Sequence, residues 1–540
     1  MKKIIYKFAS AFLALFLMFN ITGCEEDDGS GYTFKMNISS NPENLDPQMA
    51  TDVNSRLIIS NMMDGLVRIT ESGSIEADVA ENFIVSDDGT TYTFNLKENV
   101  TWENVDGYKA EVTADDFVFA FQRIFDSNAL YSPYIEVFKC IKNSSKVALG
   151  ELSPDKLGVI AEDKYILKIE LEYPYYNFLE LLTTTAAMPC NRAFFESTKG
   201  KYGLTAETTA SNGDFYLKEW NFDPYWDNNY IIMRRNKSNS EQDFVYPYSL
   251  NFFIKDKEEN TEDFDSGDID CIISDTLDEK LFKGNKYNSY STKTYGLVIN
   301  PQSQFFRNKN LRYALAAAFN REVYSGLLSD DYLAAYGIIP PYSTILGKKY
   351  RLLSPDNAFS LYDKYEAQNL WQSELDKLKI TSIDGIKITV PESFGGYEYL
   401  SYITEQWQQN LNFFCGIEVV SQNEYDLKIK ENTYNIALVE LSSENSGIDG
   451  YFSLFTEGKK ELQGYTDYAV KSMIYGSSKS ENLSKAAEIY MTAEKQIIDS
   501  AVYVPLFYGN EYFVYNQEIQ DIEYDASYQI IDFRYAKKFE

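Results

Sequence analysis

Histidine does not occur once in the 540 residues. Its absence removes every histidine-based triad, general base and metal site in one step. Cysteine is scarce as well. Cys24, Cys140, Cys190, Cys271 and Cys415 are far apart and form no C-x-x-C pair, so neither a zinc site nor a dithiol redox centre is suggested. The last four could form one or two disulfides or remain buried thiols, and their spacing leaves both open. Positive charge is in deficit, with 50 Lys and Arg against 81 Asp and Glu and a net charge of -31. Such a balance argues against nucleic acid, which is held largely by basic side chains on phosphates. It argues equally against broad docking onto anionic lipid. Repeats, low-complexity tracts and long apolar runs are also missing. The apolar stretch from Phe8 to Phe19 falls short of the ~20 residues a membrane-spanning helix needs.

That short run sits between Lys2, Lys3 and Lys7 and the sequence Ile21-Thr22-Gly23-Cys24, after which Glu25, Glu26, Asp27 and Asp28 follow at once. A cationic start and a short apolar centre describe a secretory signal peptide. The small residues leading into a cysteine resemble the bacterial lipobox. That resemblance implies a signal over 1–23, a lipidated new N-terminus at Cys24 and an acidic tether over 24–31. Two or more acyl chains anchor stably where one does not, so the chain would be held at the outer face of the cytoplasmic membrane without spanning it. The plainer alternative is an ordinary signal peptide with a chance cysteine.

With 44% hydrophobic and 24% charged residues, the remainder reads as a globular chain too long for one core, and two or three lobes are expected. Aromatic residues make up 16%, with 44 Tyr. Most must be core, and a share suits the wall of a cleft, since tyrosine offers an apolar face with a polar tip. In ENFIVSDDGTTYTFNL the Asp88-Gly89 turn predicts a hairpin with Tyr92, Phe94 and Leu96 on one face. Thr113-Ala114-Asp115-Asp116 predicts a helix start, followed by Phe117, Ala120, Phe121 and Ile124 at helical spacing. NKNLRYALAAAFNREVYSGLL predicts one helix with Leu311, Ala314, Leu315, Ala318 and Phe319 inward.

IKITV, YLSYITEQWQQNLNFF and CGIEVV predict strand, helix and strand. Leu400, Ile403, Trp407 and Leu411 form the buried stripe, and Gly416 is the expected helix stop. The unit suggests a parallel sheet. YNIALVEL, 434–441, reads as a strand buried on both faces. Ligands of open α/β sheets bind beyond the carboxyl ends of such strands, which nominates Glu440, Ser442, Ser443, Glu444 and Asn445. A plain surface loop explains the same residues.

Taken in order, these landmarks resemble the extracellular solute-binding proteins of family 5, the oligopeptide-binding lipoproteins of ABC importers. The resemblance begins at Asn44-Leu45-Asp46-Pro47 and is strongest from Asp78-Val79-Ala80-Glu81 through Trp102 and at Val112-Thr113-Ala114-Asp115-Asp116-Phe117. It continues through Tyr131-Ser132-Pro133-Tyr134, Leu157-Gly158-Val159, Asn212-Gly213, Gly267-Asp268-Ile269-Asp270, Arg312-Tyr313-Ala314-Leu315 and Val504-Pro505-Leu506. It implies an α/β fold, a bilobed clamshell of the periplasmic-binding-protein type with an extra subdomain, whose mixed-sheet lobes are joined by a two-crossing hinge. The expected division is 32–294 for lobe I, with the subdomain at about 53–190, then 295–505 for lobe II, and 506–540 for strands returning to lobe I. The crossings are expected near Tyr295 and Pro505.

The implied function is capture of an extracellular solute, foremost oligopeptides, and its delivery to a membrane permease and through it to ATPase subunits. No cofactor, metal or catalyst is implied, and a monomer is expected. Ser40, Asn41 and Glu43 stand where the family places ligand contacts, and Phe119 where peptide binders offer a tyrosine. Leu441 takes the place of a family tryptophan. Glu444 or a neighbour takes that of the aspartate that pairs with a peptide ammonium, because a buried cation needs a partner. Other cargoes on this fold remain open, an oligosaccharide or a signalling peptide among them, as does a relative that binds a protein instead. A lipid-anchored hydrolase is the reading from another class. Its one motif, Ser153-Pro154-Asp155-Lys156, has S-x-x-K spacing but lies in a proline turn.

Overall fold

In the computed structural model the described residues are 31–539, apart from 71–73, 129–130, 176, 226–227, 238–244, 257–258, 278–280, 282, 346–347, 356–358, 360, 395, 444–446, 463–464, 478 and 481. The signal, Cys24 and the tether up to Ser30 therefore lie outside them. Among the described residues no helix is long and apolar enough to cross a membrane.

One eleven-stranded mixed sheet organises the chain. Its strands are β1 (Thr33–Ile38), β2 (Phe215–Asn221), β3 (Tyr230–Arg235), β4 (Ser249–Ile254), β5 (Cys271–Ser274), β6 (Asn285–Ile299), β7 (Tyr332–Ala334), β8 (Ile386–Pro391), β9 (Cys415–Val420), β10 (Ile436–Leu441) and β11 (Tyr503–Asn516). They lie in the order β2-β3-β4-β1-β5-β11-β6-β10-β8-β9, with β7 added to β11. The first half pairs β1 parallel to β4 and β5. The second pairs β8 parallel to β9 and β10. Between them run β6 and β11, of 15 and 14 residues, antiparallel to one another along nearly their whole length.

These two strands are the joint of a bilobed molecule. One end of β11 contributes Phe513 to a core built from residues 34–271 and the C-terminal strands. The other end contributes Val504, Leu506 and Phe507 to a core around Leu297, Ile299 and Trp407. The ladder slips between Ser291 and Lys293, and such a bulge bends a strand and increases its twist.

In the second lobe the sheet is covered on both faces, which is why β10 reads as an unbroken apolar run. Ile436 and Leu438 enter the core of the helices Lys309–Ala317, Lys364–Leu378 and Tyr399–Leu411. Ala437, Val439 and Leu441 enter the opposite core, beneath the helix Leu483–Ser500. The stripe Leu400, Ile403, Trp407 and Leu411 is buried as the spacing predicts, and the strand–helix–strand unit is parallel. Its stop differs. The helix closes at Asn412, which turns left-handed at φ 53°, and Gly416 is inside β9. Asparagine tolerates that conformation because its short polar side chain bonds locally. The helix predicted over 308–328 is likewise two, broken where Asn320 caps Arg321–Ser325.

In the first lobe a separate antiparallel sheet carries the Asp88-Gly89 hairpin, Ala80–Val85 with Thr91–Leu96, and two further strands. Against it packs Ala114–Phe125, opened by a capping box between Thr113 and Asp116. The Asp46 of the Leu45-Asp46-Pro47 landmark proves structural. Its carboxylate is gripped by Arg123 at two oxygens, and Arg123 also reaches Gln48 at 2.7 Å and lies over the Phe195 ring. Gly203 passes so close that a Cβ would fall 2.7 Å from the Leu45 carbonyl carbon, and its φ is +74°. Only glycine fits there. Cys140, Cys190, Cys271 and Cys415 are all free thiols, the first three buried.

Candidate ligand cleft between the lobes

Where the lobes face each other the chain encloses a cavity of about 690 Å³. One wall comes from the first lobe, with Asp64, Arg68 and Arg534. Tyr287 to Tyr290 of β6 form its floor, Glu180 and Thr183 add to the first-lobe side, and Tyr342, Thr344 and Lys349 reach in from the second lobe. The C-terminal turn adds Tyr524, Asp525, Ser527 and Tyr528. The size suits a small extended ligand, within the common range of about 300–1,000 Å³.

The walls are held by bonds that cross between lobes. Tyr342 N–H donates to the Ser291 carbonyl at 3.2 Å, and Tyr451 OH donates to the Thr292 carbonyl at 2.7 Å. Ser443 Oγ donates to the Ser527 carbonyl at 3.3 Å. Gly450 makes that last contact attainable, because any Cβ there would collide with the Ser443 carbonyl. On the first-lobe side Arg534 is fixed between Asp64 and Asp214. Behind the C-terminal turn, Glu511 accepts from Tyr524 OH at 2.5 Å and from Gln529 Nε2 at 2.9 Å. Burial pushes the Glu511 carboxyl up, against the pull of Tyr524 and Lys293.

The residues nominated from sequence divide among several places, and none of those described lines this cavity. Ser40 is exposed and accepts from Asn54 Nδ2 at 2.9 Å. Asn41 Oδ1 accepts from Trp220 Nε1 at 2.8 Å. The exposed Glu43 has its N–H 3.4 Å from the Asp52 carboxylate, and Asp52 caps the helix Val53–Met62. Phe119 is buried, edge-on to Phe195 with the Arg192 guanidinium 4.0 Å from its ring centre. Glu440 is exposed on the strand face shared with Tyr295 and Lys293, both of which feel its charge. Leu441 is core, 5% exposed. Ser442 and Ser443 are half-buried, and Ser443 alone reaches the cavity rim, through Ser527. Glu444 and Asn445 lie outside the described residues. Sequence reasoning missed Tyr290, Tyr342, Tyr524 and Asp525, for which the only signal was an excess of tyrosine.

The sequence model of the bacterial extracellular solute-binding proteins, family 5, matches residues 74–462. The chain belongs to that family. Over 510 residues it is 23% identical to the oligopeptide-binding protein OppA of Bacillus subtilis, covering 92% of this chain and 91% of that one. To the dipeptide-binding protein DppE of the same species it is 24% identical, covering 97% and 98%. Among solved structures it resembles the periplasmic oligopeptide-binding protein OppAIV of Borrelia burgdorferi, with a TM-score of 0.72 and 22% identity over 94% of this chain and all of that one. It also resembles peptide-bound OppA of Listeria monocytogenes, with a TM-score of 0.69 and 21% identity over 94% and 99%. At such identities the structures establish the bilobed solute-binding fold.

Proposed function

We propose that this family 5 protein captures oligopeptides in the interlobe cavity and hands them to the permease of an ABC importer, with no catalytic step. The observation that carries the reading is a cavity whose walls come from both lobes and from the strands joining them, in a chain whose full-length relatives bear oligopeptide- and dipeptide-binding names. A peptide is recognisable there through its main chain, which every sequence offers alike. Closure of the lobes then signals that cargo is loaded. The division at 294/295 and 505/506 belongs to the same proposal, and the separation of cores along β6 and β11 supports it. Attachment of lipid at Cys24 is part of the same proposal and would keep a monomeric receptor beside its transporter at the outer face of the membrane. Ser40, Asn41, Glu43, Phe119 and the 440–445 segment remain proposed contacts for a ligand longer than the cavity.

One experiment addresses cargo and anchor together. The full chain, expressed in a bacterial host and extracted from its membranes in mild detergent, is weighed by native mass spectrometry and then denatured. The expected result is a polypeptide beginning at acylated Cys24 that releases a ladder of short peptides. Release of sugars would replace the peptide reading, and an unacylated N-terminus would remove the anchor.

A further inference from the structure

At one end of the cavity the Tyr290 ring meets two other tyrosine rings edge to face, beside a carboxylate that lines the same space. Tyr290 and Tyr342 have centroids 4.8 Å apart at 80°, and Tyr290 and Tyr524 are 5.4 Å apart at 73°. Asp525 follows directly in the chain and its charge is felt at Tyr342, Tyr524 and Tyr528. Tyr528 also feels Glu180, which lines the same cavity. Asp525 is among the residues that line the cavity, and its carboxyl is pushed up by burial there.

We infer that this end of the cavity is a cation-binding subsite, in which Asp525 and the rings of Tyr290, Tyr342 and Tyr524 take an ammonium or guanidinium group of the cargo. The inference rests on the interlobe cavity being the cargo site. Aromatic faces carry negative potential and attract organic cations, at about 0.5–1 kcal/mol when exposed and ~2 when desolvated. Tyr524 is favoured in this respect, since its hydroxyl donates a hydrogen bond to Glu511, which makes its ring more electron-rich.

Among the described residues the carboxylate has no counter-ion. Its Oδ1 accepts the Ser527 N–H at 2.8 Å, and among the described residues no lysine or arginine pairs with it. The cations of the cavity are engaged elsewhere: Arg534 with Asp64 and Asp214, and Arg68 beside Tyr535 and Asp78. Lys349 is exposed on the short strand Lys348–Lys349. Burial pushes the Asp525 carboxyl up, and an incoming cation would reverse that cost.

Two parts of a peptide could supply the cation, its α-ammonium or a basic side chain. Calorimetry on the full chain in detergent separates them with a tetrapeptide of alanines carrying one lysine, its norleucine counterpart and the N-acetylated form of each. Asp525→Asn keeps an acceptor for the Ser527 N–H and removes the charge, while the backbone bond from Tyr528 must share that one oxygen. It is expected to weaken roughly 10-fold or more those members that carry the cation the subsite takes, and to leave the acetylated norleucine peptide within about 2-fold. Tyr342→Leu should weaken the same members about 5-fold. Equal losses for charged and neutral peptides would overturn the subsite. So would a discriminating loss in Glu444→Gln but not in Asp525→Asn. Should no peptide bind while argininamide binds and Asp525→Asn abolishes it, the oligopeptide reading falls and the subsite stands.

Discussion

Arg321 is 3% exposed, and its only hydrogen bond among the described residues runs from Nη2 to the Pro505 carbonyl at 3.2 Å. Its Nε and Nη1 have no acceptor there, and its guanidinium lies 4.4 Å from the centre of the Phe319 ring. Burial pulls its pKa down to about 10 despite the nearby Tyr336, Tyr324 and Tyr508. Contrast Arg123, less deeply buried and raised by the Asp46 carboxylate it grips. A buried charge without a carboxylate partner is costly, and apolar replacements of similar volume are often neutral or stabilising. Arg321→Met is therefore expected to raise unfolding stability by about 1–3 kcal/mol, read from the urea midpoint with an unchanged slope. A loss of stability would mean that the single bond to Pro505 outweighs desolvation.

Among elements, the strands and helices with a strong apolar period were legible in the sequence, and their ends were not. The alternation of Tyr92, Phe94 and Leu96 and the stripe from Leu400 to Leu411 survive because burial on one face enforces them. The break at Asn320 and the stop at Asn412 depend on which single residue accepts an unusual backbone angle or a cap, a choice made by local packing. The clamp at the start of Lys309–Ala317 is of that kind. Glu374, from Lys364–Leu378, accepts from Asn308 at 2.7 Å and Asn310 at 2.8 Å and pairs with Lys377 at 2.7 Å. These donors, Lys377 first, hold its carboxyl down at about 2. Because the folded value is depressed, its contribution is present above pH ~4.5 and is lost as the pH falls toward 2. Glu374→Gln should consequently lower stability at neutral pH and flatten the fall between about pH 4.5 and 2. An unchanged acid limb in denaturation curves taken across that range would refute the clamp.

At the scale of the whole molecule, fold class was legible because landmarks spread over both lobes must keep their order, whereas the cavity was not. Its walls come from 60–70, Ile75, Asp78, 180–188, 287–290, Tyr342, Thr344, Lys349 and 522–534, segments joined only when the long strands bring the lobes together, and no local pattern marks them. The same closure makes a contact outside the cavity. Tyr173 of the first lobe meets Tyr475 of the second at 6.2 Å, edge to face, and Lys479 Nζ lies 4.2 Å and 4.0 Å from the two ring centres. Lys139 approaches Tyr475 from the first lobe at 5.8 Å. None of these groups lines the cavity, so they favour the closed state without selecting its cargo. A ring pair and a shared cation of this kind are worth about 1–2 kcal/mol together. Replacing both Tyr475 and Lys479 by Ala should thus weaken every ligand by a similar factor, roughly 5- to 30-fold. Small-angle scattering should show a larger radius of gyration at the same ligand concentration, returning to the closed value as ligand is raised. A loss confined to some ligands would place the contact in recognition instead of closure, and an unchanged affinity would mean that the cavity alone sets the balance between open and closed.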